Sequence, residues 1–375
     1  MKLKPKITLL DHFAKLTDPR IDRTKEHKLI DILAIAICGM LCGADNWVAM
    51  EQYGNAKQEW LKQFLELPNG IPSHDTISRL FARLDPKEFE QCFQDWVKTI
   101  SELIPGEVIS IDGKTVKHSG SKTKNQKPIH VVNAWASEQR LVLGQTRVND
   151  KSNEITAIPE LIKVLELSGC LVTIDAMGTQ TAIAQLIRDK DADYCLALKG
   201  NHQYLHERVI QLFEQAEAID WSGVKHDFYR TISKGHGRNE IRRYWTMPVT
   251  ELFFDPDQWV GLQSIGLVES VRKMESQTTI AKRYYLNSFD SDAQLLADAV
   301  RSHWGVENNL HWVLDVAFSE DDCPVHSQNA PENLAQLRKM SLNLLSREKT
   351  AKIGVANKRL KAAWDNNYLA KILGV

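Results

Sequence analysis

Val108-Ile109-Ser110-Ile111-Asp112 and Leu171-Val172-Thr173-Ile174-Asp175 are two short apolar runs, and each ends in an aspartate. Runs of this length and β-branched content read as buried strands. One aspartate at a strand end is commonly a turn or cap residue. Two at matched ends point to use, because a carboxylate beside an apolar strand is costly to desolvate. After Pro105-Gly106, further strands are predicted at 129–136 and 140–148. The polar 114–127 link joins the first strand to these, and Ser137-Glu138-Gln139 makes an antiparallel hairpin of the pair. A helix over 154–167 follows, with Ile155, Ile158, Leu161, Ile162 and Leu165 as its apolar stripe. Then come the second aspartate strand, a helix over 179–190, a strand over 194–198 and a helix from Tyr204.

The order β-β-β-α-β-α-β-α predicts an α/β fold with a mixed sheet, its later strands added in parallel by right-handed crossovers. In the ribonuclease-H-like arrangement of this order, the first and fourth strands are neighbours. Asp112 and Asp175 then share one sheet edge, within reach of a bridging metal. A third carboxylate, Glu307, lies in His303-Trp304-Gly305-Val306-Glu307-Asn308-Asn309-Leu310-His311-Trp312, which reads as a helix. Three carboxylates can hold two divalent cations about 3.5–4 Å apart and drive phosphodiester chemistry. Oxygen ligands suit Mg²⁺ or Mn²⁺. Taken alone, Glu307 is less secure, because an acidic residue on a helix is usually a surface one.

His303, Glu307 and His311 are spaced to share one helix face. Their spacing is not that of the helical two-histidine zinc motif. The face is read as lying along the metal site and DNA, with Trp304 and Trp312 packing or stacking nearby. Asp315 and Glu320-Asp321-Asp322 read as surface or capping acids, with Asp315 a possible support for the site. Lys114 and Lys199 follow the first and fifth strands, where each is either a solvated lysine or a partner for phosphate oxygens. The glycine-spaced basic loop at 233–238 lacks the ending and context of a P-loop, which excludes nucleotide binding there.

Residues 1–104 read as an all-helical N-terminal domain, with Ser73 or Asp75 as an N-cap. Helices are expected over 29–41, stopped by Gly43-Ala44-Asp45, and over 47–67. Arg79 and Arg83 lie off an apolar face, as a solvated surface or as DNA-backbone contacts of a helix-turn-helix type. Residues 105–330 form the predicted catalytic domain. It is interrupted at about 220–290 by a strand-rich insertion with strands expected at 239–245, 259–270 and 278–288. Tyr244, Trp245 and Trp259 alternate there with Arg242 and Arg243. They either fill a small core or stack an unpaired base near the cut. The tail, 331–375, reads as helical and basic.

The net charge of −1 excludes a uniformly basic nucleic-acid coat, though not local patches. Six cysteines are scattered without a C-x-x-C pair, as expected of reduced thiols. Asp11 cuts the apolar start too short for a signal peptide, and the 29–42 run is too short to span a bilayer. A cytoplasmic protein with no membrane contact is expected.

Several of these motifs together resemble the DDE transposases of bacterial insertion sequences, and more narrowly the H-repeat-associated branch. They are Ile111-Asp112-Gly113-Lys114-Thr115, Lys151-Ser152-Asn153-Glu154-Ile155, Asp175-Ala176-Met177-Gly178, Leu198-Lys199-Gly200-Asn201 and Leu314-Asp315-Val316 after His303-Trp304. Asp18-Pro19-Arg20 and Gly70-Ile71-Pro72-Ser73-His74-Asp75-Thr76 resemble that branch's associated helical domain. The resemblance implies Asp112, Asp175 and Glu307 as a catalytic triad using two Mg²⁺ or Mn²⁺ ions. It also implies double-stranded DNA, both element ends and target, as partner, with a homodimer in the DNA complex at the bacterial nucleoid. Many relatives carry a Tyr-Arg-Glu-Lys set around the glutamate. Here His303 and Leu314 stand where the arginine and lysine would, so the set is not reproduced. The rival readings are a metal-dependent nuclease without strand transfer and an inactive, domesticated DNA-binding protein.

Overall fold

The N-terminal stretch folds as α1 (Leu29–Leu41), α2 (Trp47–Ala56), α3 (Gln58–Leu61), α4 (His74–Arg83) and α5 (Pro86–Ile100). The expected 47–67 helix thus splits at Lys57 and stops early. Ser73 caps α4 by accepting the Thr76 N–H, and Asp85 caps α5, with Pro86 in the first turn where no N–H is needed. The computed structural model describes residues 8–121, 126–149, 153–235, 238–249, 258–273 and 278–375. The basic start at 1–7, part of the 114–127 link, Lys151-Ser152 and the His236-Gly237 centre of the basic loop lie outside the described residues.

Next come β1 (Val108–Thr115), β2 (His130–Ala136), β3 (Leu141–Arg147), α6 (Glu154–Val164), β4 (Leu171–Ile174), α7 (Thr181–Asp189), β5 (Asp193–Leu198) and α8 (Gln203–Ala218). The 220–290 region supplies β6 (Asp227–Gly235), β7 (Arg238–Pro248), β8 (Ser264–Lys273) and β9 (Thr278–Asn287). Among the described residues these make one nine-stranded sheet, ordered β3-β2-β1-β4-β5-β9-β8-β7-β6. β1 and β4 run parallel in register, with Ser110 opposite Thr173 and Ile111 opposite Ile174.

The strand-rich region is therefore no separate sheet, since β9 pairs antiparallel with β5 and extends it. β6 escapes the pattern reading because nearly all of its residues are exposed and no apolar face alternates along it. The strand expected over 259–270 begins only at Ser264, and Trp259 sits buried ahead of it.

Helix α9 (Ala293–Val306) follows, then a π-helical segment (Glu307–His311), α10 (Trp312–Phe318), α11 (Ala330–Arg347), α12 (Val355–Trp364) and α13 (Asn366–Leu373). α9 packs small and branched residues (Ala293, Leu296, Ala297, Val300) on Val108, Leu171, Cys195 and Tyr285, one face of the sheet. The opposite face buries Ile109, Ile111, Val172 and Ile174 with Ile158, Leu161 and Ile183 of α6 and α7 in a core that also takes in α1, α4, α5 and α11. All six cysteines are free thiols. Among the described residues, no helix is long and apolar enough to cross a membrane.

The tail is no loose basic arm. Arg338, Lys339, Lys358 and Arg359 are all buried. Arg359 reaches the Met40 carbonyl, Asp45 and the Ala317 carbonyl, tying α12 to α1 and α10. Lys339 donates to Gln145 of β3. These cations hold helices together and are unavailable to DNA. Arg347, Lys349, Lys352 and Lys361 remain exposed.

Glu348 closes α11 from a buried position. It accepts the Thr350 N–H (2.8 Å), the Ala351 N–H (3.1 Å) and the Tyr368 hydroxyl (2.8 Å). Burial pushes this carboxyl up, but the bonds from Thr350, Tyr368 and Ala351 outweigh burial and hold it down to about 2. A depressed carboxylate stabilises the fold above its usual range, and that contribution is lost as pH falls towards 2. Glu348→Ala is expected to cost about 1–3 kcal/mol at pH 7. Melting curves should also show a smaller fall in stability between about pH 4.5 and 2 than in the wild type, because the depressed carboxylate is gone. An unchanged acid limb would mean that Glu348 is not the responsible group.

Candidate active site

Alternation along β1 turns Ser110, Asp112 and Lys114 towards α9, and the parallel register turns Thr173 and Asp175 the same way from β4. Asp175 follows the last residue of β4, and its Oδ1 accepts the N–H groups of Met177 (3.1 Å) and Gly178 (3.4 Å). A side chain at Gly178 would collide with Ile174 and Ile158. Gly113 is equally constrained: a Cβ there would run into Glu154 and His130, which bond to each other across the strand at 2.6 Å. Both glycines beside the aspartates thus answer to close approach.

α9 is capped by Asp292, which accepts the Leu295 N–H, and a chain of polar contacts pins its far end to the sheet. Ser110 Oγ donates to the Ser302 carbonyl (3.4 Å), Thr173 Oγ1 to Ser110 Oγ (3.2 Å), and His303 Nδ1 lies 3.0 Å from Thr173 Oγ1. Burial holds His303 down to about 4, against the pull of Asp175. A continuous α-helix was expected here. The π-helical turn at Glu307–His311 instead shifts the helical phase where the candidate ligands sit, as such bulges often do at functional sites.

The third carboxylate, Glu307, is half exposed, whereas His311 is buried. His311 Nδ1 stands 3.7 Å from Asp112 Oδ2 and 3.6 Å from Glu307 Oε2. One ligand atom from each of the three lies within 4.8 Å of the others, a group able to hold a cation. Burial first, then the charges of Glu307 and Asp175, push Asp112 up to about 7. Burial, with Lys114 nearby, pushes His311 down to about 3, so its ring is neutral. The raised proton affinity of Asp112 is the mark of a crowded carboxylate that a nearby positive charge would relieve.

Asp112, Asp175 and Glu307 line one cleft of ≈230 Å³, together with Lys199, His303, Trp304 and Arg283. Arg283, Val300 and Trp304 also border a second cleft of ≈540 Å³, which adds Lys234, Arg242, Arg272 and Arg301. The Arg283 guanidinium lies over the Trp304 ring at 4.9 Å. A positively charged groove with an aromatic at its mouth thus opens from the carboxylates.

Other assignments change. Lys114 is buried among Asp315, Glu320 (3.1 Å) and Asp321, so it anchors β1 to the segment after α10 and cannot meet phosphate. Glu320 is fully buried there, not on the surface. Trp245 stacks on Trp221 at 5.8 Å and Trp259 meets His202 edge-on, so neither faces the acidic cleft. Of the two tryptophans, Trp304 lines the cleft, with Tyr285, while Trp312 does not. Arg79 pairs with Asp75 on the outer side of α4, Arg83 is exposed, and neither lines either cleft.

Arg283, Thr173 and Asn133 were missed. Asn133 sits directly opposite Asp112 on β2, buried and without a hydrogen-bond partner for its amide. A polar residue amid Val131-Val132 and Ala134-Trp135 was the available signal.

The family described as Transposase DDE domain matches residues 104–344, and DDE_Tnp_1-associated matches 10–97. "Putative transposase YncI" of Escherichia coli O157:H7 is 41% identical over 371 residues, covering 98% of this chain and 94% of its own. "H repeat-associated putative transposase YhhI" of Escherichia coli (strain K12) is 39% identical and covers 97% of each. Among solved structures, a piggyBac transposase synaptic complex with hairpin DNA aligns over 98% of this chain and 78% of that one, at TM-score 0.45 and 13% identity. With the family match covering well over half of its length, and relatives alike from end to end, this chain belongs to the DDE transposases, alongside the H repeat-associated members.

Proposed function

We propose that this chain is an active transposase on a ribonuclease-H-like core, cutting DNA at the ends of its own element and joining the freed 3′-OH to target DNA. The observation that carries the proposal is the meeting of Asp112, Asp175 and Glu307 in one cleft that opens into a basic groove. The residues fit two divalent cations, Mg²⁺ or Mn²⁺, which Asp112, Asp175 and Glu307 would hold. Such ions would neutralise the scissile phosphate and lower the barrier for the attacking and leaving oxygens. Catalysis is assigned to 105–330. The helical 1–104 unit and the 331–375 helices brace it, the former with Arg79 and Arg83 as exposed candidates for DNA.

The chain's own residues supply position and charge. Asp175 is held by two backbone N–H groups, so its free oxygen keeps one direction. The Ser110–Thr173–His303 chain fixes α9, and with it Glu307, against β1 and β4. Lys199 stands exposed at the cleft rim, where it can meet a phosphate oxygen. The groove from Arg283 and Trp304 to Arg301 and Lys234 offers a path for a strand beside the cut, with the indole as a stacking surface. In both steps an oxygen attacks phosphorus in line, first water and then the 3′-OH, with no covalent enzyme intermediate. Two element ends call for two copies of the chain, acting in the cytoplasm at the nucleoid.

Asp112→Asn, Asp175→Asn and Glu307→Gln are each expected to abolish Mg²⁺-dependent cleavage of terminal DNA while leaving DNA binding in place. Near-normal cutting by any one of them removes that residue from the triad. Cleavage by the wild type without joining would instead establish the nuclease reading.

Asp112→Asn should also raise the melting temperature of metal-free protein at pH 8, because the neutral amide removes a crowded buried charge. The same variant should lose the stabilisation that added Mg²⁺ gives the wild type. A lower metal-free melting temperature would show that the carboxylate is not held against its preference.

Affinity for terminal DNA should fall steeply with salt, by about −0.9 in log–log slope per phosphate contact. Arg301→Ala and Arg283→Ala are expected each to reduce that slope by about one contact. Trp304→Ala should weaken binding by about 1–3 kcal/mol with the slope unchanged. Filter binding across a salt series separates these outcomes, and a flat series for the wild type would rule out the groove.

A further inference from the structure

The donor set beside Asp112 contains a nitrogen that carboxylate chemistry alone does not call for. His311 is 5% exposed. Its Nε2 has no hydrogen-bond partner, and Nδ1 has only the oxygens of Asp112 and Glu307, at 3.7 and 3.6 Å. Both distances are too long for hydrogen bonds. They suit ligands sharing one ion: donors about 2.0–2.6 Å from a cation lie roughly 3–4 Å from each other. An imidazole nitrogen facing two carboxylate oxygens beyond hydrogen-bond reach is a donor that an ion in that gap would engage.

We propose that the cation held by Asp112 and Glu307 takes His311 Nδ1 as a third protein ligand, and that this makes the site select Mn²⁺ over Mg²⁺. The proposal rests on the metal-dependent reading above and adds the ligand set and the ion. The π-helical turn serves this geometry, carrying both Glu307 and His311 to within 4.8 Å of Asp112. A neutral imidazole brings a lone pair without adding a positive charge. Nitrogen donors favour Mn²⁺ over Mg²⁺, which keeps to oxygen and water.

The far side of the ring is also furnished. Ligating histidines commonly give their second N–H to a carboxylate, directly or through a water. Glu320 is fully buried, its charge acts on His311, and its Oε1 has no hydrogen bond. Lys114 contacts Glu320 at 3.1 Å and the His311 carbonyl at 3.4 Å, holding both in place. Glu320 thus acts on the imidazole through its charge. His303, the other histidine near the carboxylates, has its Nδ1 engaged by Thr173 and lies outside the three-residue group.

The test uses the full-length protein without DNA, titrated with Mn²⁺ and followed by pulsed electron paramagnetic resonance. The wild type is expected to show ¹⁴N modulation from a directly bound imidazole. His311→Gln should abolish that modulation and weaken Mn²⁺ binding about 10- to 100-fold, with a smaller effect on Mg²⁺. His303→Gln should leave the modulation in place. Mn²⁺ bound without ¹⁴N modulation, or modulation lost only in His303→Gln, overturns the ligand assignment and leaves the metal-dependent reading standing. A wild type that melts normally yet binds no Mn²⁺ overturns both. Should His311→Gln fail to fold, His303→Gln decides: persisting modulation supports His311, and its loss overturns the proposal.

Discussion

β1 and β4 pair in parallel, in register, over four residues each, and the rest of the site depends on that alignment. Parallel pairing sends both chains towards the same sheet edge, so the aspartates that follow Ile111 and Ile174 emerge side by side. A shift of one residue would turn one of them to the α6 face, where Ile109 and Ile111 pack. The same alternation aligns Ser110 with Thr173, and these hydroxyls receive α9 through Ser302 and His303. One strand pair therefore places two carboxylates and also docks the helix that carries the third.

A second theme is buried charge away from the cleft. Lys114 sits one alternation beyond Asp112 on β1 and joins Asp315, Glu320 and Asp321 behind the site. Lys339 of α11 acts on Glu320 and on Glu90 of α5, whose carboxyl burial pushes up to about 7. Removing one partner from such a cluster strands the other in low dielectric, which is far costlier than losing a surface pair. The N-terminal and C-terminal helices are thereby joined electrostatically to the strand bearing Asp112.

Much of this was legible in the residues. The strands around Asp112 and Asp175 were readable because apolar runs broken by single polar residues are the mark of half- or fully buried strands. Their adjacency followed from element order. What stayed hidden depends on what covers each face, which periodicity does not report. Lys114 reads like any lysine after a strand, and only the fold brings acids from 200 residues away against it. Trp245 alternates with arginines as a base-stacking residue would, yet Trp221 already occupies its face. β6 lacks an apolar face because it lies at the rim of the sheet.

The π-helical turn between Glu307 and His311 also fixes the chain's tolerance to length change. An α-helix advances by about 100° per residue, so one residue fewer in this turn would rotate everything after it by that angle. Leu310, Leu314 and Phe318, all fully buried, would swing out of the core while Glu307 stayed in place. The added residue thus works as a phase adapter between two demands, a ligand pair facing the strands and an apolar stripe facing the helices. Substitutions at the exposed Asn308 and Asn309 leave that phase intact. A single deletion puts the two halves of the helix in conflict.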